Sequence, residues 1–170
     1  MLYKAEGLYN PKYEKDACGV GFIANIDGKK NNATINDALT ILEKMDHRGA
    51  CGSDKNTGDG AGITIQIPHK FFLIECAKKN ILLPEKGKYG LAMLFLPKES
   101  KKYNFIINLI NEASNYIGFE TLFKRKVPIN KKNIGESSLK NKPRIEQWII
   151  IPTKSDLKES DLQRKLFILR

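Results

Sequence analysis

Residues 47–62 read His-Arg-Gly-Ala-Cys-Gly-Ser-Asp-Lys-Asn-Thr-Gly-Asp-Gly-Ala-Gly and hold five glycines. Glycine weakens helix and strand alike and opens backbone angles closed to other residues. The stretch therefore reads as a loop with unusual dihedrals or close contacts. It lies between two periodic segments. Ile35, Ala38, Leu39, Leu42 and Met45 make one helical stripe, which predicts a helix over 35–46 with Thr34 or Asn36 as its cap. Ile63, Ile65 and Ile67 alternate with Thr64 and Gln66, which predicts a strand over 62–67. A glycine-dense loop held between firm elements is often functional, although a plain surface loop is the bland alternative.

Three specific readings of this loop can be tested against spacing. A calcium loop that starts at Asp54 would put Gly58, Asp59 and Ile65 at its fifth, sixth and twelfth positions, where an acid or amide, a glycine and a glutamate are needed. A dinucleotide fingerprint follows a strand and opens a helix, whereas these glycines follow a helix and open a strand. A phosphate P-loop ends in Gly-Lys-Ser/Thr, which is missing here. What remains is a loop that shapes a substrate or nucleophile site.

A second segment, Asp16-Ala17-Cys18-Gly19-Val20-Gly21-Phe22-Ile23-Ala24, places a cysteine at the start of an alternating run. A strand is predicted over 18–26, with Cys18, Val20, Phe22, Ala24 and Ile26 on one face. The flanking glycines would let another group approach the thiol. Taken alone, the segment fits a small packing cysteine at least as well as a nucleophile.

Elsewhere the order is mixed. Residues 1–17 read as a polar lead-in, and residues 27–32 as a turn. A helix is predicted from Pro68 to about Lys79, a strand over 89–96, and a helix from Glu99 to Tyr116. Further strands are predicted over 119–127 and 144–151, an exposed loop over 131–143, and a closing helix over 156–170. The class is α+β. No apolar run is long enough to span a membrane, and the start lacks the apolar region of a secretory signal, so the cytoplasm is the default compartment.

The net charge of +10 comes from lysines spread along the chain, with few interleaved aromatics. It reads as a solvated surface more readily than as a nucleic-acid footprint. The three cysteines, Cys18, Cys51 and Cys76, have neither zinc nor redox spacing, and no metal site is expected. Cys51 and Cys76 read as packing residues.

Together, Cys18-Gly19-Val20-Gly21-Phe22, then His47-Arg48-Gly49-Ala50, then Thr57-Gly58-Asp59-Gly60-Ala61-Gly62-Ile63 resemble the amidotransferase domain of glutamate synthases. These domains belong to the class II, N-terminal-nucleophile glutamine amidotransferases. The resemblance is strongest over 14–73 and implies a four-layer αββα sandwich, incomplete in this chain. It implies Cys18 as the nucleophile, freed by removal of a leader over 1–17, with 18–170 as the front part of the domain. It implies that Arg48, Gly49 and Asp59 line the pocket for L-glutamine. It implies no cofactor in this part, but FMN, an iron–sulfur cluster and NAD(P)H or ferredoxin in the full-length protein. Downstream synthase domains, and a small subunit in some members, would be its partners. The Asn-Gly pair that stabilises the oxyanion and the acid that binds the glutamine amino group have no match in this chain. Two alternatives therefore stand: a non-catalytic fragment or interaction module that needs further sequence or a partner chain, and an N-terminal-nucleophile hydrolase acting on another amide.

Overall fold

A computed structural model describes residues 19–49, 54, 56–154 and 157–170. The chain divides into two compact units, one of residues 1–65 with 133–140, the other of 66–132 with 141–170.

The second unit is built on a three-stranded antiparallel sheet. Its strands are β1 (Gly90–Leu96), β2 (Phe119–Lys126) and β3 (Arg144–Pro152), in the order β1-β3-β2. Both outer strands run antiparallel to β3, so they run parallel to each other and need a crossover. Helix α3 (Ser100–Ile117) supplies it, and β3 then inserts between the two strands that α3 joined. Ile149 pairs with Leu91 and Phe123, while its neighbour Trp148 pairs with Ala92 and Lys124. Successive residues point to opposite faces, so these two rows serve two different cores.

The Ile149 row meets helix α2 (His69–Ala77). Phe72, Cys76, Leu83, Tyr89, Phe123 and Ile149 close into one buried cluster there. The opposite row meets α3 and the last helix, α5 (Glu159–Leu169). Tyr103 on α3 donates its hydroxyl to Glu146 at 2.9 Å, and Leu166 on α5 lies over Gly90. A Cβ at Gly90 would come within 2.5 Å of Leu166 Cδ2, so the closeness of that helix depends on the missing side chain. Trp148 and Leu162 are fully buried.

Helix α3 ends at Gly118, whose φ of +93° is the left-handed turn that favours glycine. Lys165 Nζ of α5 donates to the Ile117 carbonyl at 2.9 Å, and Thr153 donates its backbone N–H to the Gly118 carbonyl at 3.0 Å. The cap is thus completed by residues distant in sequence.

The first unit contains α1 (Asn32–Lys44), a single 3₁₀ turn (Asp46–Arg48) and, from the far part of the chain, the start of the short helix α4 (Glu136–Asn141). The expected stripe of α1 is inward, with Ile35, Ala38, Leu42 and Met45 half-buried, although Leu39 is exposed. Its cap is Asn31, not Thr34 or Asn36. The Asn31 side chain accepts from the Thr34 backbone N–H at 2.8 Å, so the helix begins a turn earlier than its apolar stripe.

Two expected strands are absent. Residues 19–26 and 62–67 belong to no sheet, and Val20 and Phe22 are 94% and 93% exposed. Alternation makes a strand only when a ladder partner takes the backbone groups, and none does so among the described residues. The loop expected over 131–143 holds α4. Among the described residues no helix is long and apolar enough to cross a membrane.

Candidate functional site

The site predicted from sequence falls in the first unit. Cys18, the expected nucleophile, lies outside the described residues, as does Cys51. The backbone just beyond Cys18 is placed by α1. A Cβ at Gly21 would lie 3.0 Å from Ile41 Cγ2 and 3.8 Å from Met45 Sδ. The segment that follows the cysteine therefore runs close over the C-terminal half of α1, where Gly21 leaves room for the isoleucine methyl.

The same end of α1 delivers the Arg48-Gly49 pair. The Met45 N–H closes the helix on the Ile41 and Leu42 carbonyls. The 3₁₀ turn follows, and the Gly49 N–H donates to the Asp46 carbonyl at 3.0 Å. Gly49 then leaves in extended backbone, with φ −100° and ψ 157°. His47 is used locally, its Nδ1 lying 3.0 Å from the Lys44 carbonyl. Of Arg48 only the backbone is described. One stretch of helix thus sets both the chain after Cys18 and the start of the glycine loop.

Asp59 lies exposed between Gly58 and Gly60, and Gly60 takes φ +86°. Just before them, Asp54 and Thr57 form a small hydrogen-bonded knot. Asp54 Oδ1 accepts from the Asn56 N–H at 3.1 Å, and Asp54 Oδ2 accepts from the Thr57 hydroxyl at 2.8 Å. The Thr57 N–H donates to the Asp54 carbonyl at 3.2 Å. Residues of the far segment join this knot. The Gly135 N–H donates to the Asn56 carbonyl at 3.1 Å, and the Ser138 hydroxyl lies 3.3 Å from Thr57 Oγ1. Sequence reasoning missed Asp54, Thr57, Gly135 and Ser138. The only available signal was a glycine inside a stretch rich in lysine, asparagine and serine.

Among the described residues no cluster of three or more His, Cys, Asp or Glu side chains could hold a metal. His69, the second histidine, lies in the other unit, with its Nδ1 3.0 Å from the Tyr89 hydroxyl.

The family model for "Glutamine amidotransferases class-II" matches residues 18–170. The chain belongs to the class-II glutamine amidotransferases. This amidotransferase chain is 42% identical over its whole length to the "Glutamate synthase [NADPH] large chain" of Bacillus subtilis (strain 168), of which it covers 11%. It is 36% identical over 99% of its length to the "Ferredoxin-dependent glutamate synthase" of Pyropia yezoensis, again covering 11%. The "Glutamate synthase [NADH]" of Saccharomyces cerevisiae is 36% identical over 96% of the chain, which covers 8% of that protein. The amidotransferase chain thus spans about a tenth of the length of these relatives. Its mixed α and β elements and antiparallel sheet accord with the family.

Proposed function

We propose that this chain supplies the glutamine-hydrolysing site of a glutamate synthase, with Cys18 as the nucleophile. The observation that carries the reading is that the family match begins at residue 18, the cysteine itself. Removal of residues 1–17 would make Cys18 the first residue. A thiol is mostly protonated at neutral pH, with a pKa of about 8.5, and needs a base. A free α-amino group, with a pKa of about 8, sits on the same residue and takes the proton directly or through water; a peptide nitrogen cannot.

The Cys18 thiolate attacks the side-chain carbonyl carbon of L-glutamine. The C–N bond breaks, ammonia leaves with the proton, and a γ-glutamyl thioester forms. Water cleaves the thioester, releases glutamate and returns the thiol. Arg48, Gly49 and Asp59 line the glutamine pocket in this reading, and the ammonia feeds glutamate formation from 2-oxoglutarate in the whole synthase. Residues 18–170 form the front of a four-layer αββα sandwich whose second sheet needs further sequence. The chain has no Asn-Gly pair, so the oxyanion donors come from outside it.

Iron–sulfur clusters are held by cysteine thiolates set close together, whereas the cysteines here, Cys18, Cys51 and Cys76, are widely spaced in sequence and Cys76 is fully buried in an apolar cluster. The residues do not fit such a cluster. We therefore assign it, with FMN and the NAD(P)H or ferredoxin electron donor, to the synthase domains, together with any small subunit. The cytoplasm is the proposed compartment.

The test is Cys18→Ser in the full-length protein. Glutamine-dependent turnover should be abolished and ammonia-dependent turnover kept. Equal loss of both would reject Cys18 as the nucleophile. Hydrolysis of a different amide in preference to glutamine would reject the substrate.

A further inference from the structure

The glycine loop is costly to hold in one shape. Gly58 and Gly60 flank Asp59, and a glycine-rich backbone is the costliest kind to fix. A pocket-lining loop must nevertheless be held to within a fraction of an ångström to be useful. In this chain residues 133–140 add to the loop's own Asp54–Thr57 hydrogen bonds. The Gly135 N–H donates to the Asn56 carbonyl, and the Ser137 N–H lies 3.4 Å from Asp54 Oδ2. The Ser138 hydroxyl reaches Thr57 Oγ1, which itself donates to Asp54. Gly135, Ser137 and Ser138 thus grip Asn56, Asp54 and Thr57, the turn that precedes the glycines.

The packing is as specific as the hydrogen bonds. A Cβ at position 135 would overlap Asp54 Oδ1 and Thr57 Oγ1, well inside contact distance. Gly135 takes no left-handed backbone angle. Its requirement is therefore space, so that a backbone N–H can approach a backbone carbonyl while the Asp54 and Thr57 side chains close over it. Leu139 then donates its N–H to the Gly135 carbonyl at 2.9 Å, which ties the gripping residues to α4.

We propose that residues 133–140 are the strut that positions the Thr57–Gly60 loop for substrate, with Gly135 and Ser138 as its positioning residues. This rests on the reading above, in which Asp59 lines the glutamine pocket. Neither residue touches substrate. They act by fixing the loop before glutamine arrives, so their loss should weaken glutamine binding more than the chemical step.

The experiment uses the full-length protein and three variants. Gly135→Ala should raise KM for glutamine tenfold or more, with kcat changed by less than threefold and ammonia-dependent turnover unchanged. Ser138→Ala should raise the same KM severalfold, and Ser138→Thr, which keeps the hydroxyl, should restore it. Amide hydrogen exchange at Asn56 and Thr57 should quicken at least tenfold in Gly135→Ala. Unchanged exchange there overturns the strut, whatever the activity. Unchanged glutamine kinetics in Gly135→Ala overturns its role in substrate binding, and so does ammonia-dependent turnover that falls in step. If the unaltered protein hydrolyses no glutamine, the functional reading falls, while the exchange measurement still decides the strut.

Discussion

Arg125 Nε lies 3.2 Å from Glu75 Oε2, joining β2 to α2 across the face of the sheet. The guanidinium also donates to Gln147 and lies 4.9 Å from the centre of the Phe71 ring. One planar side chain therefore serves a carboxylate, an amide and an aromatic face. Lysine cannot do this, because its ammonium is a point charge without the fork or the stacking surface. Arg125→Lys should lower the urea midpoint of the chain. A midpoint equal to wild type would mean that the contacts add nothing.

The same carboxylate predicts an acid dependence. Lys78, hydrogen-bonded at 2.6 Å, holds the Glu75 carboxyl below its ordinary range; burial opposes this, and the charges of Lys78 and Arg125 reinforce it. A carboxyl lowered in the folded state contributes stability above its unfolded value, about 4.3, and loses it as pH falls through the folded value. Urea midpoints measured from neutral pH downward should therefore fall below that region. Glu75→Gln should reduce the slope, and an unchanged slope would assign the acid loss to other groups.

Trp148 is the single tryptophan and is fully buried, with Lys124 Nζ 3.6 Å from its ring centre. Its indole N–H donates to Glu146 at 2.9 Å. Emission should be blue-shifted in the folded chain and red-shifted on unfolding. Lys124→Met should cost about 0.5–2 kcal/mol in the cation–π contact and alter the native spectrum. An unaltered spectrum would place the ammonium away from the ring.

The cores on the two faces of the sheet should respond to opposite kinds of change. Phe72→Ala empties a fully buried site against α2 and should cost about 3–5 kcal/mol. Gly90→Ala adds a methyl where Leu166 already sits and should cost about 1–3 kcal/mol. Gly90→Ala combined with Leu166→Ala should recover part of that loss if the clash is its cause. Additive losses in the double variant would refute the clash.

Cys76 is fully buried, and burial raises its thiol pKa, with the Glu75 charge adding to the effect. An aromatic disulfide reagent at pH 8 should leave it unmodified in the folded chain and label it only as fast as the chain unfolds. Prompt labelling at Cys76 would show that the α2 core opens readily.

Much of the sheet unit was legible because local pattern and tertiary partner agree there. The apolar run at 89–96 forms β1, and the helices expected over 99–116 and 156–170 form as α3 and α5. The side of α3 expected to pack, Phe105, Leu109, Ala113 and Tyr116, is nevertheless exposed, and the helix turns Tyr103, Ile106, Ile110 and Ser114 inward instead. The alternation of Val20, Phe22 and Ile26, and of Ile63, Ile65 and Ile67, was just as clear, yet these residues form no strand because no described backbone pairs with theirs. The Arg48-Gly49 turn was legible as a motif. The hold of Gly135 and Ser138 on Asp54 and Thr57 was not, because hydrogen bonds between polar side chains far apart in sequence leave no periodic trace.

The bond from Lys165 to the Ile117 carbonyl spans 48 positions, so the last turn of α3 is finished by a side chain made much later. A nascent chain that has emerged only as far as β3 has the Gly118 turn but not the lysine that caps the Ile117 carbonyl. That carbonyl gains its lysine only when the final helix docks. Nicking the backbone near residues 153–158 should therefore unsettle a helix terminus that lies more than thirty positions earlier in the sequence.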